Sequence, residues 1–298
     1  MNLIKPKKLQ IGDKIRIIAP SGPVEADKIE LAKTYFEQKG YKVELGKHLY
    51  SNLNYLAGND NERLEDLHEA FNDDETKAII CARGGYGALR LIDKIDYELI
   101  KKNPKIFCGY SDITVLNIMF YQKANLITFS GPMAQSDFGN EICTFTEDGF
   151  FKVMDGEPLS IPRYNSIVYN SGDAEGIIIG GNLSTITSLC GRDFVPDSKF
   201  MLLVEDLNEP VYKIDRYFTQ LLAIPKFKTN ITAILLGEFL NIDNQDYLKD
   251  FFRSLSKELN IPIISGYPIS HSKTKETVPI GAYGYLKDCV LEIKNYTA

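Results

Sequence analysis

Apolar positions recur with two alternating periods through the first 132 residues. KIRIIAP (14–20) is a short apolar run and predicts a buried strand. VEADKIELAKTYFEQKG (24–40) repeats apolar residues at three- and four-residue spacing and stops at Gly40, which predicts a helix with a glycine C-cap. YKVELG (41–46) returns to strand pattern, and NDNERLEDLHEAFNDDE (59–75) to a helix with a charged face. KAIICA (77–82) is a strand, followed by the glycine-rich RGGYG (83–87) and a predicted helix ALRLIDKI (88–95). KIFCGY (105–110), a helix from Asp112 and the strand LITFSGP (126–132) complete the series. Strands and helices joined by short connections predict an α/β domain with a parallel, doubly wound sheet over residues 1–135. Sites in such sheets lie beyond the carboxyl ends of the strands. APSGP (19–23), RGGYG and GYSD (109–112) all fall there.

The pattern breaks over 136–172, a polar stretch read as a connection with helix near 146–154. Residues 173–298 form a second, smaller α/β unit. AEGIIIGGNLSTITSLCG (174–191) reads as strand, glycine turn and helix; KFMLLVEDL (199–207) as a strand; EPVYKIDRYFTQLLAI (209–224) as a helix with Pro210 near its start. NITAILLGEF is a strand, NQDYLKDFFRSLSKEL a helix and IPIISGYPIS (261–270) a strand. VPIGAYGYLKDCVLEIK (278–294) reads as a hairpin, so this half has antiparallel character.

Composition narrows the function classes. A net charge of −6 with no basic tract argues against nucleic acid. No apolar run reaches the roughly 18 residues that span a bilayer. The N-terminal stretch has basic residues without a long apolar segment behind them, which reads as unprocessed and cytoplasmic. Five cysteines without a C-x-x-C suggest neither a disulfide framework nor zinc, and no cluster has metal-ligand spacing, so no metal or cofactor is expected. The three histidines are His48, His68 and His271. Any histidine base is therefore one of three, and His271, in a polar loop after a strand, is the best placed.

The chemistry candidates each have a plain alternative. Ser111 is either a helix cap or a nucleophile held at a strand-to-helix turn, where helix N–H groups could receive an oxyanion. RGGYG is a phosphate cradle, an oxyanion loop or a tight turn; it lacks the Walker lysine and the G-x-G-x-x-G spacing. Glu205 ends an apolar strand, either solvated or holding a histidine's second nitrogen. Asn182 in GGNLS touches substrate or turns the chain. SKTK holds S-x-x-K from Ser272 to Lys275, but without companion motifs a serine–lysine mechanism is discounted. A ligand-binding protein or nucleotide-dependent oxidoreductase using RGGYG as a phosphate cradle is the rival from another class, and the missing fingerprint argues against it.

Taken in order, IIAPSGP (17–23), ARGGYGALRLID (82–93), GYSDIT (109–114), SGP (130–132), GGNLS (180–184), LLVEDLNEPVYKIDR (202–216), GYPISH and VPIGAYGYL (266–286) resemble the LD-carboxypeptidases, serine peptidases of the S66 type, a group that also holds microcin C immunity proteins. The resemblance implies a Rossmann-like N-terminal domain and a smaller C-terminal one, with the active site between them. It implies Ser111 as nucleophile, His271 as general base and acid, and Glu205 as orienting carboxylate. The oxyanion hole would use the backbone N–H groups of Gly85 and Asp112. Arg83, Ser21 and Asn182 are candidate substrate contacts. The implied reaction releases the terminal D-alanine of a muropeptide tetrapeptide during cytoplasmic peptidoglycan recycling, by a homodimer without cofactor. Immunity-type members tend to be longer, with an added substrate loop; a chain of 298 residues without tryptophan favours the muropeptide branch over an aminoacyl-nucleotide hydrolase.

Overall fold

Residues 3–298 are described by the computed structural model. Its first half follows the alternation of the sequence: β1 (Lys14–Ile18), α1 (Ala26–Gln38), β2 (Lys42–Leu45), α2 (Asp60–Asn72), β3 (Thr76–Cys81), α3 (Tyr97–Lys102), β4 (Ile106–Cys108), α4 (Thr114–Ala124) and β5 (Thr128–Ser130). β1, β3 and β4 are nearly continuous apolar runs because both sheet faces are covered. The strand order is β2-β1-β3-β4-β5, all parallel. The chain turns back between β1 and β3, and the loops after β1, β3 and β4 converge on the carboxyl edge of the sheet.

One element differs here from the sequence pattern. The predicted helix 88–95 is a single tight turn, Ala88–Arg90, and the helix starts later, at Tyr97. Asp96 caps that later start, its side chain accepting from the Leu99 N–H at 2.9 Å. The apolar Leu91, Ile92 and Ile95 are buried without being helical.

The second half comprises α5 (Thr144–Met154), β6 (Leu159–Ile161), β7 (Val168–Asn170), β8 (Ala174–Asn182), α6 (Leu183–Thr187), β9 (Phe200–Leu207), α7 (Val211–Leu222), α8 (Pro225–Asn230), β10 (Ile231–Leu240), α9 (Gln245–Leu259), β11 (Ile263–Ser265), β12 (Val278–Ile280), β13 (Tyr283–Lys287) and β14 (Val290–Ile293). A mixed sheet of eight strands runs β6-β14-β13-β8-β9-β10-β11-β7. Its centre, β8 to β11, is parallel, and its flanks are antiparallel. It has more strands than the first sheet because β6 and β7, from the stretch read as a connection, form its two edges. Among the described residues no helix is long and apolar enough to cross a membrane.

Two features join the sheets. Nine of the eleven residues of α4 are buried, as expected for a helix packed on all sides. Its first turn meets the end of β8, where Thr114 Oγ1 accepts from the Asn182 N–H at 3.1 Å. A Cβ on Gly181 would lie 2.4 Å from Thr114 Oγ1, so glycine is required for this approach. The second feature corrects the expected C-terminal hairpin. Only β13 and β14 form it; β12 crosses back and pairs antiparallel with β5, Val278 opposite Ser130. The strand expected over 261–270 likewise ends at Ser265, where Gly266 takes a φ of +92°. Residues 266–277 thus form a bridge from the second sheet to the first, and His271 stands on it.

Candidate active site

β4 ends at Cys108, and the chain turns through Gly109 and Tyr110 into Ser111. The Asn117 amide donates to the Gly109 carbonyl at 2.8 Å and fixes the turn. Ser111 has a φ of +64°, in the left-handed region that side-chain-bearing residues rarely adopt. It begins a tight helical turn, Ser111–Ile113, that runs into α4. The cap positions of these two starts are Tyr110 and Ile113, so Ser111 lies inside the first turn and not at a cap. The cap alternative for Ser111 therefore fails on geometry. What remains is a strained serine at a strand-to-helix turn, beside N–H groups that a helix start leaves without helical partners.

The glycine loop after β3 lies against this serine. A Cβ built on Gly84 would fall 2.8 Å from Ser111 Cβ, 2.9 Å from its Oγ and 3.4 Å from the Asp112 nitrogen. Gly84, one residue before the expected Gly85, is thus the glycine that meets Ser111, and both line the same cleft. Gly84 is not in the left-handed region, so its backbone accepts alanine and only the neighbour objects. Gly84→Ala should therefore fold normally and lose about 10²- to 10³-fold in kcat/KM by displacing the serine and its neighbouring N–H. Thermal melting beside steady-state kinetics checks this; a folded variant at the wild-type rate would contradict the contact.

Asp112 holds three loops together. Its buried carboxylate accepts from the Ser21 hydroxyl of APSGP and from the Ala88 N–H at 2.9 Å. Burial pushes its carboxyl above the ordinary value, opposed by the Ser21, Ala88 and Gly87 donors and by the Arg63 charge. The Gly22 N–H also donates to the Gly84 carbonyl at 3.2 Å. The Asp112 side chain thus ties the turn after β1 and the glycine loop beneath Ser111.

From the second sheet, β9 delivers two consecutive carboxylates to opposite faces, as a strand must. Glu205 is 3% exposed and its Oε2 lies 2.7 Å from His271 Nδ1. Asp206, on the other face, accepts from Ser184 N–H at 2.8 Å and Asn182 Nδ2 at 2.9 Å, and burial raises its pKa to about 6. His271 also packs edge-on to Tyr110, ring centroids 5.0 Å apart. Ser111 and His271 line one cleft with Glu25, Arg83, Gly84, Gly85, Tyr110 and Gln135. Arg83 presents a guanidinium there, with Nη1 3.3 Å from the Pro23 carbonyl. A serine, a histidine and a carboxylate bonded to that histidine, drawn from both halves of the chain, can perform nucleophilic acyl transfer.

Residues 15–131 match the model of the LD-carboxypeptidase N-terminal domain, and residues 175–286 that of the LD-carboxypeptidase C-terminal domain. The chain belongs to the LD-carboxypeptidase family. It is 39% identical over 291 residues to a probable murein peptide carboxypeptidase of Bacillus subtilis (strain 168), with 93% of this chain and 90% of that one covered. Among solved structures it is similar to an MccF-like protein from Bacillus anthracis str. Ames, with TM-score 0.90 and 30% identity over 97% of this chain and 99% of that one. It is also similar to the muramoyltetrapeptide carboxypeptidase from Oxalobacter formigenes, with TM-score 0.85 and 31% identity over 96% and 100% of the two chains.

Two of the expected substrate contacts in this LD-carboxypeptidase family member are turned inward. Ser21 is fully buried and spends its hydroxyl on Asp112. Asn182 is 4% exposed; its side chain caps α6 by accepting from Thr185 N–H at 3.0 Å and donates to Asp206. Both side chains are engaged by the scaffold, because polar side chains next to glycine turns are claimed by the turns themselves. Sequence reasoning missed Gly84, whose role depends on a neighbour one strand away, and Tyr110, hidden in the GYSD motif as an ordinary aromatic.

Proposed function

We propose that this protein is a serine LD-carboxypeptidase that hydrolyses the amide between an L-centre and a terminal D-alanine in muropeptide tetrapeptides. The observation that carries the reading is the 2.7 Å contact of His271 with the buried Glu205, on a ring that shares its cleft with the strained Ser111. His271 takes the Ser111 proton as the hydroxyl attacks the L–D carbonyl. The developing oxyanion is received by the Asp112 N–H and an N–H of the Gly84–Gly85 loop. His271 then protonates the leaving amine, and D-alanine departs. Water, activated by the same ring, releases the acyl group. Glu205 holds the ring by Nδ1 and stabilises the imidazolium. Arg83 receives the terminal carboxylate of the substrate, a pairing suited to a guanidinium. The setting is cytoplasmic recycling, the partner a small peptide and the working form a homodimer, with no cofactor.

The same residues would serve a hydrolase of aminoacyl nucleotides, a second reading supported by the likeness, at TM-score 0.90 and 25% identity, to the microcin C7 self-immunity protein MccF in complex with aspartyl sulfamoyl adenosine. A substrate panel separates the two. Tetrapeptides with lysine or diaminopimelate at the third position, assayed beside an aminoacyl sulfamoyl adenylate, should show D-alanine release at a kcat/KM at least roughly 100-fold above cleavage of the adenylate. The reverse order would assign the enzyme to the immunity branch.

A further inference from the structure

The bridge that carries His271 is anchored on both sides of that residue. On the second-sheet side, the Ser270 hydroxyl donates to Glu238 of β10, and the Ser272 N–H donates to Ser270 Oγ at 2.8 Å. On the other side the anchor is Lys275, the lysine of SKTK. It is 3% exposed, and lysines are seldom buried this far without a partner. Its ammonium reaches across to the first half of the chain. There it pairs with Asp137, in the turn after β5, and lies 3.1 Å from the Tyr110 hydroxyl and 4.2 Å from the Tyr110 ring centroid. Asp137 is itself fixed by accepting from the Met133 N–H at 2.9 Å. Thr146 supports the same segment, donating to the Lys273 carbonyl and accepting from the Lys275 N–H. Tyr110 precedes Ser111, and its ring meets His271 edge-on. Lys275, Tyr110 and Glu205 also line one small pocket.

We propose that Lys275 is a positioning residue, a buried clasp that sets the His271 ring against Ser111 by joining the bridge to Asp137 and Tyr110. The proposal rests on the serine–histidine–glutamate reading above. A buried ion pair adds little stability over an apolar pair of similar volume, so its contribution lies in orientation. The clasp fixes Tyr110 from one side and the bridge from the other, and His271 lies against both. Lys275 does not line the cleft that Ser111 and His271 share. Its effect passes through the ring it orients.

The test labels Ser111 with a fluorophosphonate, which forms a Ser111 Oγ–phosphorus bond and expels fluoride, with His271 taking the serine proton. Lys275→Met should react about 10- to 100-fold more slowly, the loss falling in the maximal rate and not in reagent affinity. Lys275→Met alone leaves Asp137 buried without its cation and is expected to lower the melting temperature; Lys275→Met/Asp137→Leu removes both charges and should melt close to wild type while labelling as slowly as the single variant. A folded double variant that labels at the wild-type rate overturns the clasp. A wild-type protein that is not labelled at Ser111 overturns the underlying serine-hydrolase reading instead, so the two failures are distinguishable.

Discussion

Ser111→Ala is expected to lower kcat by at least roughly 10⁴-fold while leaving the melting temperature unchanged. The two halves of this result have separate causes. The rate falls because the proposed attacking hydroxyl is gone. The stability stays because Ser111 does not occupy a cap position and alanine inherits the same backbone strain. Ser111→Gly adds a sharper check. Glycine relieves a φ of +64° that costs a side-chain-bearing residue on the order of 1 kcal/mol, so this variant should be as inactive as alanine yet melt about 2 °C higher. A serine serving only as a helix cap would behave oppositely, losing ~1 kcal/mol on conversion to alanine and keeping its activity.

His271→Ala should lose activity on the same scale, at least roughly 10⁴-fold. Removing the base leaves Ser111 un-ionised and the leaving amine without a proton. The informative variant is the pair: Ser111→Ala/His271→Ala should be no slower than either single change, because residues that act as one unit lose their effect together. Glu205→Gln keeps the shape of the buried carboxylate but not its charge, and should cost up to about 10⁴-fold by leaving the ring in the wrong tautomer. Full activity in His271→Ala, or losses that multiply in the double variant, would dismantle the triad. Steady-state kinetics on the four proteins decides it.

The alternation of strand and helix patterns made the parallel first sheet legible, because each period is set by residues close in sequence. The corrections fall where a distant partner wins. The 88–95 segment has helical spacing, yet Asp112 holds Ala88 and Asp96 caps a later start. VPIG reads as half of a hairpin, yet it pairs with β5 across the molecule. That crossing decides the site, since it stretches residues 266–277 between the sheets. The same division holds for the chemistry. Ser111, Glu205 and His271 could be nominated from strand ends and a scarce residue type. Ser21 and Asn182 could not be told from scaffold, because a polar side chain beside a glycine turn looks the same whether it faces substrate or backbone. Lys275 was visible only as part of a motif without companions. Its burial and its reach to Asp137 and Tyr110 are tertiary facts.

The two joints between the halves have a functional consequence. Gly181 lets the end of β8 touch the start of α4, and β8 is paired in register with β9 so that Asn182 lies opposite Glu205. Ser111 enters α4 from the other end of this contact. The distance from the Glu205 strand to the Ser111 turn is therefore set by packing within a few residues, and the bridge supplies His271 between them.

The proposed cleavage of an L–D amide by Ser111 is tested most directly by following D-alanine release from a tetrapeptide ending in D-alanine, with its L-alanine diastereomer and the Ser111→Ala variant run alongside. The expected result is release by the wild-type protein from the D-terminal peptide, none from the L-terminal one, and none by Ser111→Ala. Equal release from both diastereomers, or undiminished release by Ser111→Ala, would contradict it.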